Sequence, residues 1–221
     1  MFSPRIYWRL FESLNATWWP LQALLIAAAL AWLALFWRSS DAPGARRMSA
    51  AAAVLGVCWL LVAWVFHWAR FAPINAPASA YAVAFVLQGL GLLALAAMFR
   101  RSPPVGPDRT PSRVVFALGL WALLGHPLLA LLSGRPLAQA EVFGLAPDPT
   151  AIATLAFLLL LTPARGARSL WRVLWWMTVA WCVVSAATLA TMGAALEAGV
   201  LLAALAMALV GCWWPGVRRA P

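Results

Sequence analysis

Long apolar runs, broken by short arginine-bearing connections, constrain this chain more than any other feature. A run of about twenty apolar residues matches the helix length needed to cross a ~30 Å hydrocarbon core. Backbone polar groups inside such a core must be satisfied within the segment, so each run reads as an α-helix. Seven spans are expected, at residues 18–37, 48–68, 80–99, 114–133, 147–163, 173–191 and 198–214. The fold class expected is all-α: a polytopic membrane helix bundle of seven transmembrane helices plus an N-terminal interfacial amphipathic helix, with residues 1–221 as one integral membrane domain. Composition agrees, with 65% hydrophobic and 10% charged residues, where a soluble domain carries about 25% charged. The fifth run is the weakest. Ala151 to Thr162 is too short alone, and it reaches spanning length only if the chain from Pro147 dips into the membrane or the bilayer thins locally.

Residues 3–14 read as the interfacial helix. Ser3 suits the N-cap and Pro4 the first helical position. Ile6, Tyr7, Leu10, Phe11 and Leu14 recur on one face, with Arg5, Arg9 and Glu12 away from it. The apolar run that follows is too long for a signal peptide, and no convincing small-residue cleavage site follows it. Paired Trp18 and Trp19 belong to an interfacial aromatic belt.

The net charge of +10 comes from sixteen basic residues, all arginine. They stand beside apolar runs rather than on a basic face interleaved with aromatics, so nucleic acid is excluded as a partner. With seven spans, Arg5, Arg9, Arg70 and Arg135 fall on one side and the other twelve on the opposite side. The positive-inside rule then places the N-terminus outside and the C-terminus in the cytoplasm, in a bacterial inner membrane with the lipid bilayer as partner. The absence of lysine excludes a retinal Schiff base. Cys58, Cys182 and Cys212 lie inside apolar runs, form no C-x-x-C, and read as small buried hydrophobes. No nucleophile elbow, H-E-x-x-H or phosphate-binding loop occurs. No catalytic residue is assigned and an enzyme is unsupported.

This orientation gathers the unusual polar residues in the outer half. His67 and Arg70 end the second span, before Phe71-Ala72-Pro73-Ile74-Asn75-Ala76-Pro77, where two prolines forbid helix. Gln88 lies about two turns into the third span and His126 about two turns into the fourth, while Asp148 and Thr150 open the fifth. Polar groups at membrane depth are costly and tend to face a bundle interior or cavity. His67, Arg70, Asn75, Gln88, His126, Asp148 and Thr150 are therefore the candidate ligand-binding residues, converging on an outward-facing pocket. Each also has a plain structural reading. Arg70 can snorkel, Gln88 can bridge two helices, His126 can make a packing hydrogen bond beside a Pro127 kink, and Asp148 with Thr150 can cap a helix. His67 and His126 differ in depth by on the order of 10 Å, which disfavours bis-histidine haem. A metal site completed by Asp148 is a minor alternative. No metal ligand is assigned and the cofactor is unknown.

Several patches carry a family resemblance: Asn15-Ala16 with Trp19-Pro20-Leu21-Gln22, His67 with Phe71 to Ala78, Gln88, and Phe143-Gly144-Leu145 with Pro147 and Pro149-Thr150. In these the chain resembles a family of small bacterial multi-span membrane proteins described only as a domain of unknown function. In that family's pattern a cysteine often stands between the two prolines; here it is Asp148, which argues against thiol chemistry. The resemblance implies an architecture and no activity. Two functions are expected. The first is binding or transport of a small solute or ion through the outer pocket. The alternative is an accessory or assembly subunit of a larger membrane complex, since fifteen tryptophans suit a chain that packs sideways against other membrane subunits.

Overall fold

The computed structural model describes residues 3–38, 44–101 and 113–213. Arg109, Trp214, Arg218 and Arg219, which enter the reading of spans and charge, lie outside the described residues. Among the described residues eight α-helical elements follow in order. They are α1 (Pro4–Trp18), α2 (Leu21–Arg38), α3 (Ala45–Phe71), α4 (Ala78–Arg101), α5 (Arg113–Leu132), α6 (Pro147–Leu159), α7 (Arg168–Thr191) and α8 (Ala195–Trp213). The described residues are all-helical, joined by turns.

Five helices are long and apolar enough to cross a membrane: α3, α4, α5, α7 and α8. A sixth arises if α1 and α2 count as one broken span, and these two meet at 87°. Pro20 causes the break. It lacks an N–H and drives Trp19 out of the helical region, to φ −64° and ψ 131°. The helix expected over 3–14 therefore runs on to Trp18, and α2 starts only at Leu21. The buried face of α1 is Tyr7, Trp8, Phe11 and Leu14, while Ile6 is 46% exposed. That face packs on protein rings, Phe11 stacking on Phe66 at 4.7 Å between centroids. An amphipathic stripe is the same whether lipid or protein covers it, so the sequence pattern did not distinguish the two.

The fifth apolar run forms α6, a helix of 13 residues over Pro147–Leu159, against the 147–163 expected. At 1.5 Å per residue it is about 20 Å long. Eleven of its residues are buried, so it is a central strut wrapped by other helices. Pro147 at its start and Leu160 just past its end are both buried. The chain leading into it is equally interior: every residue from Ala140 to Ile152 is buried. Gly144 turns this segment with φ +82°, and a Cβ there would lie 2.8 Å from Leu25 Cδ1 and 3.1 Å from Cys58 Sγ. Thr150 Oγ1 accepts the Gly144 N–H at 2.9 Å and donates to the Ala146 carbonyl at 2.7 Å, locking the turn to α6.

Polar side chains brace the remaining helices. Trp59 Nε1 donates to Thr154 Oγ1 at 2.8 Å, tying α3 to α6. Gln88 Nε2 donates to the Leu174 carbonyl and to Thr178 Oγ1, tying α4 to α7. Helices α3 and α4 approach through Gly56 and Gly89, where an added Cβ would stand 2.9 and 2.8 Å from the opposing carbonyl oxygen. A cavity of about 200 Å³ between α2, α3, α5 and α6 is apolar, lined by residues such as Ala28, Trp32, Ala51, Gly119, Ala153 and Phe157.

Candidate functional site: a buried histidine and carboxylate cluster

Arg70 at the end of α3 bonds to Thr17 of α1, and Asn15 of α1 bonds to the Ala138 and Ala140 carbonyls ahead of α6. Ser133 at the end of α5 bonds to Glu197 in the first turn of α8, so these ends of the bundle lie together. Helix α1 runs across this end. Helix α5 reaches it through a wide π turn over Trp121–Gly125, in which the His126 N–H bonds to the Trp121 carbonyl five residues back. The widened turn accommodates Pro127, whose ring would clash with the carbonyl four residues before it in a regular helix. It directs His126 inward, 2% exposed. Glu141, also 2% exposed, comes from the buried segment before α6. Asp148, fully buried, sits in the first turn of α6. There a carboxylate is favoured by the helix dipole, and its flanking prolines occupy positions that need no intrahelical N–H.

The donor atoms of His126, Glu141 and Asp148 lie within 4.8 Å of one another. His126 Nε2 stands 3.5 Å from Glu141 Oε2. Asp148 is fixed from α7 on both oxygens: Trp181 Nε1 donates to Oδ1 at 2.9 Å and Ser185 Oγ to Oδ2 at 2.8 Å. By contrast, both ring nitrogens of His126 and Oε1 of Glu141 are buried without a hydrogen-bond partner. An unmade bond at a buried polar atom costs about 1–3 kcal/mol. Such a group of orphans around one point is the signature of a site built for something else.

The cover over the cluster is tied down at several points. Asn15 Nδ2 donates to the carbonyls of Ala138 and Ala140 at 2.9 and 2.8 Å, and Gln22 Nε2 donates to the Asn15 carbonyl. Arg135 lies 3.5 Å over the Trp8 ring and pairs with Glu197 at 2.9 Å. Ser133 Oγ donates to the same Glu197 oxygen at 2.6 Å.

A family of unknown function, DUF6064, matches residues 4–215. The chain belongs to that family. No curated protein and no solved structure matches it. The DUF6064 match takes in all three donors of the cluster and the whole cover above them, and the family description carries no activity.

Of the seven residues singled out in the sequence of this DUF6064 chain, His126 and Asp148 meet in the cluster. Thr150 stands next to it as the lock of the turn. His67 is fully buried in an aromatic cage, 4.4 Å from Phe85 and 5.0 Å from Trp181 between ring centroids, and neither of its nitrogens has a partner. It packs in a T-shaped contact against the same indole whose N–H holds Asp148. Gln88 braces α4 against α7. Arg70 donates to the Val65 carbonyl and to Thr17 Oγ1 and so ties α3 to α1. Asn75 stays half-buried in the α3–α4 connection, where its carbonyl accepts the Ala78 N–H. Sequence reasoning passed over Glu141, Trp181 and Ser185 as site residues. The apolar character of Val142 to Pro147 around a lone acid was the available signal for Glu141. The i, i+4 spacing of Trp181 and Ser185 on one helix face was the signal for the pair that holds Asp148.

Proposed function

We propose that this chain is an integral membrane protein that binds a small solute or ion at the His126, Glu141 and Asp148 cluster and carries it across the membrane. One observation carries the reading: three ionisable side chains from three separated segments converge in the buried interior, with His126 Nδ1 and Nε2 and Glu141 Oε1 left without hydrogen bonds. Buried ionisable groups are costly unless paired or bound to a ligand. In this reading α6 and its buried lead-in complete a seven-helix arrangement. The arginine distribution sets the cluster at the outer end, with the N-terminus outside and the C-terminus in the cytoplasm of a bacterial inner membrane. The site is occluded, so passage requires α1 and the Ser133–Glu141 connection to lift. His67, Arg70, Asn75, Gln88 and Thr150 shape and hold this outer end.

The test is ligand-dependent uptake into proteoliposomes by wild type and by His126→Ala. The reading requires uptake by the wild type and its loss in a variant that still inserts. Equal uptake by both would contradict it.

A second reading, an accessory or assembly subunit, is favoured by Trp64, Trp68 and Trp176, which are 64%, 52% and 61% exposed on the helix exteriors. A native-gel mass far above 23.8 kDa, on material from its own membrane, would support that reading.

A further inference from the structure

We infer that the ligand of this cluster is a divalent transition-metal ion of the manganese, iron or zinc class, held by His126, Glu141 and Asp148. This assignment rests on the small-ligand reading above and names the ligand's chemistry.

The donor set is one imidazole nitrogen and two carboxylates. Imidazole suits zinc and iron, and carboxylates suit manganese, iron and zinc. Magnesium and calcium favour all-oxygen sites, and copper(I) favours thiolate or thioether, neither of which belongs to this donor set. Metal–ligand bonds of about 2.1 Å set neighbouring donors about 3.0–3.5 Å apart. The 3.5 Å between His126 and Glu141 already meets that spacing. The widest edge, at most 4.8 Å, exceeds it by about 1.3 Å, within the reach of a side-chain rotation of His126 and Glu141, whose Nδ1, Nε2 and Oε1 no hydrogen bond holds.

Charge points the same way. Carboxylates bind a metal in the ionised form, and a dication balances the two negative charges they then carry. Among the described residues Arg135, half-buried under α1, makes its ion pair with Glu197 instead. The surroundings also match a metal site. Asp148 is oriented by two donors, Trp181 and Ser185, an arrangement that presents a carboxylate's remaining lone pairs in a fixed direction. His126 Nδ1 and Nε2 and Glu141 Oε1 are left without hydrogen bonds and are free for a metal to engage. Three protein donors leave positions for water, as expected where an ion must enter and leave.

The full chain, purified in detergent without a polyhistidine tag and stripped with EDTA, would be equilibrated separately with Mn²⁺, Zn²⁺, Mg²⁺ and Ca²⁺, desalted and assayed for bound metal. About one Mn²⁺ or Zn²⁺ per chain should be retained and neither Mg²⁺ nor Ca²⁺. Glu141→Gln and Asp148→Asn should lose that retention, Ser185→Ala should weaken affinity about tenfold, and Glu12→Gln should bind as wild type. X-ray absorption of the zinc-loaded wild type, which needs no variant to fold, should show one imidazole with oxygen ligands. A sulfur-containing or all-oxygen ligand set would overturn the assignment, as would retention unchanged in both Glu141→Gln and Asp148→Asn. If Na⁺ or an organic solute stabilises the wild type but not His126→Ala, and no transition metal is retained, the metal assignment falls and the small-ligand reading stands. Metal held by the cluster with no proteoliposome uptake supports the assignment and removes the carrier reading.

Discussion

Asp148 is the residue on which the site turns. Its two oxygens spend their hydrogen bonds on α7, so the carboxylate cannot rotate freely toward or away from His126. Ser185→Ala strands Oδ2 in a dry interior, and an unsatisfied buried acceptor costs about 1–3 kcal/mol. Thermal unfolding in detergent should show that loss, whereas an unchanged midpoint would mean that the bond contributes nothing. Trp181→Phe should cost more, since it removes the Oδ1 donor and also shrinks the ring that packs on His67. Asp148 and His126 were legible in the sequence because an ionisable residue inside an apolar run is costly wherever it points. Glu141 was not, because an acid in a presumed connection ordinarily faces water and raises no question. His67 was legible as unusual, but the pattern of residues could not show that it packs against the indole that holds the carboxylate.

At the scale of elements, the long helices α3, α4, α5, α7 and α8 were legible from apolar length alone. Helix α6 was legible as an apolar helix but not as a strut, because wrapping by neighbours is a tertiary property with no trace in hydropathy. The same holds for residues 140–146, which read as a connection and fold as core. The contact between α3 and α4 gives a direct test. Replacing Gly56 by Val drives a side chain into the Gly89 carbonyl, 2.9 Å from the new Cβ. Overpacking of this kind costs about 1–3 kcal/mol. Gly44→Ala, with nothing within 4 Å of its Cβ, should leave the melting midpoint unchanged, and equal effects at the two glycines would refute the close approach. Helix α1 offers a second test. Asn15→Ala removes both bonds to the Ala138 and Ala140 carbonyls. Amide exchange over residues 137–141 should quicken while exchange in α4 stays as it was. Unaltered exchange over 137–141 would mean that α1 does not hold the cover.

For the whole molecule, the account joins a charge asymmetry to an occluded cluster. The asymmetry is sharp enough to test by itself. Reporter fusions after Arg109 and after Arg219 should both report the cytoplasm, and a periplasmic signal from either would overturn the orientation and with it the outer placement of the cluster. The bundle then becomes a frame that brings His126 from α5, Glu141 from the buried lead-in and Asp148 from α6 to one point beneath a latched helix. That three chain segments serve one ligand is the central claim. It is tested most directly by thermal-shift measurements on wild type, His126→Ala and Glu141→Gln against one panel of inorganic cations and small solutes. The account predicts at least one compound that raises the wild-type midpoint and moves neither variant. A compound that stabilises all three proteins equally, with none that distinguishes them, would contradict it.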